Sequence, residues 1–458
     1  MIRIVNATDS EIHTLYELLR IYFPAFETSG ELFLVLETTA DTKRAILSVG
    51  ERQYEKTFEN VGEYETKRHI AAWIVREVDH PAKEKSLWGS LTGTRPVKFM
   101  QKRRKIMGDA ARDFLIESYL VHPEIADLLL EIARLEAAKT DHLKGKGYSL
   151  YIHIPFCPSR CEYCSYPTIG SGNKEAVRHY MKYLLMELDF VLRKLDKAPA
   201  TIYIGGGTPT SIAAEELAMI LDRLRSFGDR EFTLEAGRPE TITPELMAML
   251  KGYPVSRISI NPQTMVDETL VRIRRPHNKE DILNAYDLVR NTTDMAINMD
   301  LILGLDGEGM DELSYTLDSL IPLSPENITV HVLSLKNGSK IFENRGVFQK
   351  NTTRMQQYSY NRLKAAGYIP YYLYRQKRIL GNGSNIGYSL PGYESLYNMI
   401  MMEEIHSVIG VGMSATTKLV DASRKTVMKF SNFRNLRDYT DRFGEVVRKK
   451  SKYLGELL

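Results

Sequence analysis

All three cysteines of this 458-residue chain, Cys157, Cys161 and Cys164, fall within eight residues. They follow a strand-like run from Tyr148 to Ile154, and their spacing is C-x3-C-x2-C. Three thiolates on one tight loop can hold three irons of a cubane iron–sulfur cluster and leave the fourth iron without a protein ligand. That open iron is what a reacting ligand needs. A structural zinc site wants four ligands. His153 is the available fourth, but a strand residue four places before Cys157 points away from the loop more often than into it. A disulfide fits less well, because the count is odd and the start, Met1 to Asn6, lacks the plan of a secretory signal. A reducing, cytoplasmic setting is expected.

Composition removes other classes. With 43% hydrophobic and 26% charged residues the chain reads as an ordinary soluble globular protein. A formal net charge of +3 gives no general affinity for polyanions, and the apolar runs are too short for a membrane span. Neither nucleic acid nor membrane is an expected partner, and a monomer is expected. Lys102-Arg103-Arg104-Lys105 is a basic run, read as a solvated helix face.

Four segments are expected. Residues 1–80 read as a small α+β domain, with strands at Ile2–Val5, 33–36 and 45–49. Its helices start at a cap of Asp9 or Ser10 and at Glu63. Residues 81–145 read as a helical segment and linker, with a Gly/Pro-punctuated loop from Trp88 to Pro96 and a periodic helix from Pro123 to Lys139. Residues 146–375 alternate short β-rich runs with longer helical patterns, which argues for a parallel sheet. Strands are expected at 149–154, 201–204, 231–236, 256–260, 296–302 and 328–333. Helices are expected at 174–194, 213–226, 243–251, 266–290 and 310–321. Six βα repeats predict an α/β fold, a partial (β/α)6 barrel, with chemistry at the C-terminal strand ends. The cysteine loop follows the first strand, at that end. Residues 376–458 read as a C-terminal α+β domain. It opens with a loop rich in Gly, Asn and Ser up to Gly392, followed by a helix at 395–406 and the run Ser407 to Ser414.

The other strand ends are polar. The second runs into Gly205-Gly206-Gly207-Thr208, where the backbone can pass close to a ligand. The third ends at Glu235, the fourth leads to Gln263, and the fifth contains Asp300. A helix after the fourth is expected to carry Arg272, Arg274, Arg275 and His277.

With these residues in place, the chain resembles the radical S-adenosylmethionine (radical SAM) enzymes from about Tyr148 to Ser414. Within them, Tyr151 to Cys157 and Gly205 to Thr210 resemble the oxygen-independent coproporphyrinogen III oxidase subfamily. The Trp88–Pro96 loop resembles its coproporphyrinogen dehydrogenase branch. The resemblance implies a 4Fe–4S cluster on Cys157, Cys161 and Cys164, one S-adenosylmethionine, and in some relatives a second. It places Tyr151 near the sulfonium, Tyr163 beside the adenine, and Gly206, Gly207 and Thr208 at the methionyl part. Glu235 and Arg275 fall at the ribose and carboxylate regions, Gln263 and Asp300 beside a second S-adenosylmethionine, and Gly412 in the segment that closes the site. Two positions depart from the pattern. Tyr166 stands where some members have a fourth cysteine and haem-chaperone relatives keep an aromatic. Asn261-Pro262 precedes Gln263 where relatives have Gly and Val.

The implied reaction starts when a low-potential donor passes one electron to the cluster. Cleavage of the S–C5′ bond yields a 5′-deoxyadenosyl radical, which removes hydrogen from a propionate β-carbon. Loss of CO2 and one electron leaves a vinyl group, and two such events give protoporphyrinogen IX. A tetrapyrrole with four carboxylates calls for guanidinium and ammonium partners. Arg238, Arg272, Arg274, Lys336 and Arg375 are the candidates. The alternatives are a haem-binding carrier, another radical reaction on a tetrapyrrole, and nucleic-acid binding through Lys102–Lys105.

Overall fold

The computed structural model describes residues 1–27, 30–79, 86–195, 197–335, 352–421 and 426–455. The chain divides into two compact units, Met1–Arg134 and Leu135–Leu458. In the first, β1 (Ile2–Val5) pairs in parallel with β2 (Leu32–Thr38), and β3 (Thr42–Val49) and β4 (Arg52–Glu59) extend the sheet as an antiparallel meander. The alternation in β2 puts Leu32, Leu34 and Leu36 into a core with Leu15, Leu18, Ile70 and Ile74 from the helices Asp9–Tyr22 and Glu63–Arg76. The first helix is capped by Thr8, in a reciprocal capping box with Glu11, rather than by Asp9 or Ser10. Strand β4 is absent from the sequence expectation. It has no buried residue, so it carries no apolar alternation to read. The basic run sits on the helix Pro96–Met107. Arg103 stacks 4.8 Å from the Phe114 ring and Arg104 bonds Asp109, while Lys102 and Lys105 are exposed.

The helix Pro123–Thr140 leads into the second unit, a mixed sheet of eleven strands. Its centre is six parallel strands in chain order: β5 (Tyr148–Ile154), β8 (Thr201–Gly206), β9 (Glu231–Glu235), β10 (Arg257–Ser259), β11 (Ala296–Leu303) and β12 (Asn327–Val332). The two-residue strands β6 (Phe156–Cys157) and β7 (Ile169–Gly170) pair across the cysteine loop. This is the expected partial (β/α)6 barrel, and it stays open. Beyond β12 lie β14 (Asn385–Ser389) and β13 (Ile369–Tyr374), both antiparallel additions. Beyond β5 lie β15 (Ser407–Val411), parallel to it, then β16 (Thr416–Asp421) and β17 (Thr426–Ser431).

Two expectations give way here. The segment up to Gly392, expected as a loop, contains β14, whose five residues are all buried. The expected helix 266–290 is two helices, Asp267–Arg272 and Lys279–Thr292. Between them the chain zigzags, burying Ile273, Arg275 and His277 while Arg274, at φ 57°, turns outward.

The N-terminal end of the sheet is plugged. Glu231, the first residue of β9, accepts the N–H groups of Leu396 and Tyr397 and the Ser395 hydroxyl at 2.8–3.0 Å. A carboxylate at a helix N-terminus answers both its unpaired donors and its dipole. The helix Leu396–Glu403 is thereby seated there, and Tyr397 stacks on Tyr203 with ring centroids 4.4 Å apart.

Candidate active site at the cysteine loop

A cavity of about 190 Å³ opens at the C-terminal strand ends. Cys157, Cys161 and Cys164 line it, and no disulfide joins them. Burial pushes the Cys157 thiol up to about 11, opposed by the Thr208 hydroxyl, which donates to its Sγ at 3.5 Å. A bound cation reverses that balance and holds the sulfur as thiolate.

Gly205 to Thr208 pass over this loop at very close range. The Gly207 N–H donates to the Ile154 carbonyl and the Thr208 N–H to the Phe156 carbonyl, both at 2.7 Å. A Cβ on Gly207 would lie 2.5 Å from the Phe156 oxygen, and one on Gly205 2.7 Å from Glu235 Oε2. Gly206 has φ +115°, and its Cβ would strike the His153 ring. His153 is therefore a buried neutral wall beside Gly206, pushed down to about 4 by burial. It does not line the cavity as a fourth ligand.

Glu235 faces the cavity and accepts from the Tyr203 hydroxyl and the Gly206 N–H. Burial raises its carboxyl to about 7; the Tyr203 bond opposes this and the charge of Asp300 adds to it. On the far side, Arg275 is 3% exposed and holds three strand-end groups. It donates to the Tyr163 hydroxyl at 2.9 Å and to the carbonyls of Asn261 and Gly237. Gln263 adopts φ 69°, a left-handed conformation held by backbone bonds to Asp300 and Ile302. Its Oε1 and the Oδ1 of Asn261 are buried at the cavity without a partner.

The structure thus brings to one cavity the three cysteines with Tyr163, Gly206, Gly207, Thr208, Glu235, Gln263, Arg275 and Arg238. Other sequence candidates lie elsewhere. Tyr151 stacks on Tyr397 in the strand interior, with centroids 6.4 Å apart. Asp300 faces His331 at 3.8 Å. Gly412, at φ +101°, backs onto Tyr180 and donates to Glu187.

The candidate substrate cations are spread more widely. Arg272 is exposed and bonds Thr269 and the Asp306 carbonyl, and Arg274 is 62% exposed and paired with Glu162. Arg375 turns onto Asn382 and Gly383. The left-handed break sends Arg274 outward, and Arg272 is the exposed last residue of the helix before it. Lys336 lies outside the described residues. Only Arg238 of the described candidates lines the cavity, and its donors go to the cysteine loop rather than into open space. Sequence reasoning missed Ser159 and Asn261 as lining residues. Asn261 was visible as a polar residue at a strand end; Ser159 carried no signal beyond lying between two cysteines.

An open six-strand barrel with a three-cysteine loop after its first strand defines a radical SAM protein, and the Radical SAM superfamily model matches residues 151–320. The oxygen-independent coproporphyrinogen-III oxidase-like protein HemZ of Bacillus subtilis (strain 168) is 41% identical over 387 residues, 81% of this chain and 77% of that protein. The chain belongs to the oxygen-independent coproporphyrinogen III oxidase subfamily of that superfamily. It is also similar to the heme chaperone HemW of the same strain, 32% identical over 191 residues, 40% of this chain and half of that protein. The fold matches coproporphyrinogen III oxidase (HemN) from Escherichia coli, a radical SAM enzyme. The TM-score is 0.54 at 20% identity, over 69% of this chain and 73% of that one.

Membership brings the superfamily's cofactors, a 4Fe–4S cluster and S-adenosylmethionine. The residues present fit them. Three cysteines outside any disulfide share one cavity, a glycine cradle leaves no room for a Cβ, and two buried amide oxygens lack partners there. No helix among the described residues is long and apolar enough to cross a membrane.

Proposed function

We propose that this protein carries out the oxygen-independent oxidative decarboxylation of coproporphyrinogen III, turning two propionates into vinyl groups to give protoporphyrinogen IX. The observation that carries the reading is the single cavity shared by the three thiols, the glycine cradle, Glu235, Gln263 and Arg275. Similarity to the oxidase-like relative supplies the substrate class. When bound, the cluster and S-adenosylmethionine supply a hydrogen-abstracting radical.

The chain's own residues hold, orient and shield. Cys157, Cys161 and Cys164 would hold three irons. The backbone at Gly206–Thr208 would receive the methionyl part, and Glu235 would accept from hydroxyl or ammonium donors. Gln263 and Asn261 would turn their unpartnered oxygens to the ligand. Arg275 fixes the Tyr163 ring by its hydroxyl and so shapes the wall beside the nucleoside. The plug at Glu231 closes the opposite end of the strands, which limits water entry from that side. In this reading the protein works as a cytoplasmic monomer, taking electrons from a low-potential donor.

The decisive assay is anaerobic. Reconstituted protein with S-adenosylmethionine, a low-potential reductant and coproporphyrinogen III should lose two CO2 in sequence, read by mass spectrometry, with 5′-deoxyadenosine formed. Deoxyadenosine without decarboxylation sinks this substrate.

A second reading is a haem carrier. It is favoured by Tyr166, 58% exposed at the edge of the same cavity, and by similarity to the haem chaperone. Purification with stable haem absorbance and no deoxyadenosine would select it.

A further inference from the structure

Arg238 follows the third parallel strand and is 3% exposed. Each nitrogen of its guanidinium has a partner. Nη1 donates to Cys161 Sγ at 3.0 Å, Nη2 to Ser159 Oγ at 2.7 Å, and Nε to Glu240 Oε1 at 2.8 Å. The grip continues. Glu240 Oε2 lies 2.9 Å from His277 Nδ1, and Arg275 Nε donates to His277 Nε2 at 3.3 Å. Arginine can only donate, so Nε2 accepts and the Nδ1–H faces Glu240. Arg275 then returns to the loop at Tyr163, two residues after Cys161. The stretch Cys161-Glu162-Tyr163 is held from both sides by one chain of hydrogen bonds.

A guanidinium so engaged cannot turn to a substrate carboxylate without giving up three bonds. It also places a fixed positive charge and an N–H at a cysteine sulfur. Such donors stabilise the more negative, reduced state of an iron–sulfur cluster, and they are among the levers that set its potential. We infer that Arg238, locked by Glu240, is a positioning residue that raises the reduction potential of the cluster held by Cys161. The inference rests on the assignment of Cys161 as a cluster ligand. The change concerned is one electron, from the 2+ to the 1+ state, supplied by a low-potential one-electron donor, with no bond made or broken in the protein.

The test uses the full chain, reconstituted without oxygen, in wild-type form and as Arg238→Gln, Arg238→Lys and Glu240→Gln. Iron and sulfide content and circular dichroism establish loading and folding. An EPR-monitored potentiometric titration with dithionite then reads the potential. Arg238→Gln should shift it to more negative values. Arg238→Lys, with one charge but no fork, should shift it less. Glu240→Gln, which keeps an acceptor for Nε but removes a negative charge beside the guanidinium, should shift it to less negative values. An Arg238→Gln potential equal to wild type overturns the inference. Where that variant fails to load, an unchanged potential in Arg238→Lys overturns it instead. A wild-type chain that holds no four-iron cluster refutes the cluster assignment itself, a separate outcome.

Discussion

Two groups of charge among the described residues of the Leu135–Leu458 unit are built on opposite plans. The first centres on Glu187, fully buried on the helix Lys174–Lys194. Its carboxylate accepts from Lys450 at 3.1 Å, Asn432 at 2.8 Å, the Gly412 N–H at 2.9 Å and the Tyr439 hydroxyl. Lys450 completes its own valence on the Gly410 carbonyl and Thr417. The second is the buried pair Arg238 and Arg275 at the cavity, joined through the exposed Glu240 and the His277 ring; there one donor reaches a thiol and the neighbouring Asn261 and Gln263 oxygens are unpartnered. A charge whose partners all belong to its own fold maintains shape. A charge that ends on a thiol, beside acceptors left open, acts on whatever fills the cavity.

The comparison breaks most sharply at Cys161. Cys161→Ala should abolish cluster loading and turnover, while the melting temperature of the unloaded chain stays close to wild type; turnover that survives sinks the cluster assignment. Lys450→Met should do the reverse. Leaving Glu187 buried without its cation costs about 3–5 kcal/mol, read as a lower denaturant midpoint. The residual folded protein should still load iron. Glu235→Gln should weaken S-adenosylmethionine binding by ~1.5–3 kcal/mol, the loss expected for hydrogen bonds to a charged group, measured by calorimetry.

Glu235 also gives a pH test. Its folded carboxyl, at about 7, keeps a proton that the unfolded chain releases near the ordinary 4.5. Stability of the unloaded protein should therefore fall as pH rises across that window. Ligand binding should strengthen over the same rise, because the carboxylate is the better acceptor, and Glu235→Gln should flatten both profiles. The smallest effect is expected for Tyr439→Phe. It removes one of four donors to Glu187, costs about 1 kcal/mol and leaves ligand binding untouched.

Much of the barrel was legible because its βα alternation is regular and its strands are apolar. Its chemistry was legible because cysteines and glycine triplets are rare in such tight spacing. The missing pieces share a physical cause. Strand β14, Asn-Ile-Gly-Tyr-Ser, is buried on both faces with small polar residues, so only its neighbours β12 and β13 make it a strand. Glu231 looked like any strand residue until a helix 164 residues further on brought its N-terminus to it. Arg238 read as a carboxylate partner because the sequence shows its charge but not the direction of its fork. The helix break that turns Arg274 outward is a left-handed residue with no glycine to mark it.

The pairing of β15 with β5 has a consequence for how the protein is made. Ser407–Val411 pairs with Tyr148–Ile152 only after more than half the chain has been synthesised beyond the cysteines. Until then the strand that leads into the cysteine loop presents an open edge, which templates aggregation. Its closure is a long-range contact and slow for that reason. The sheet that supports the cysteine loop is unfinished until that point. A pulse-labelled chain truncated before Ser407 should collect in aggregates.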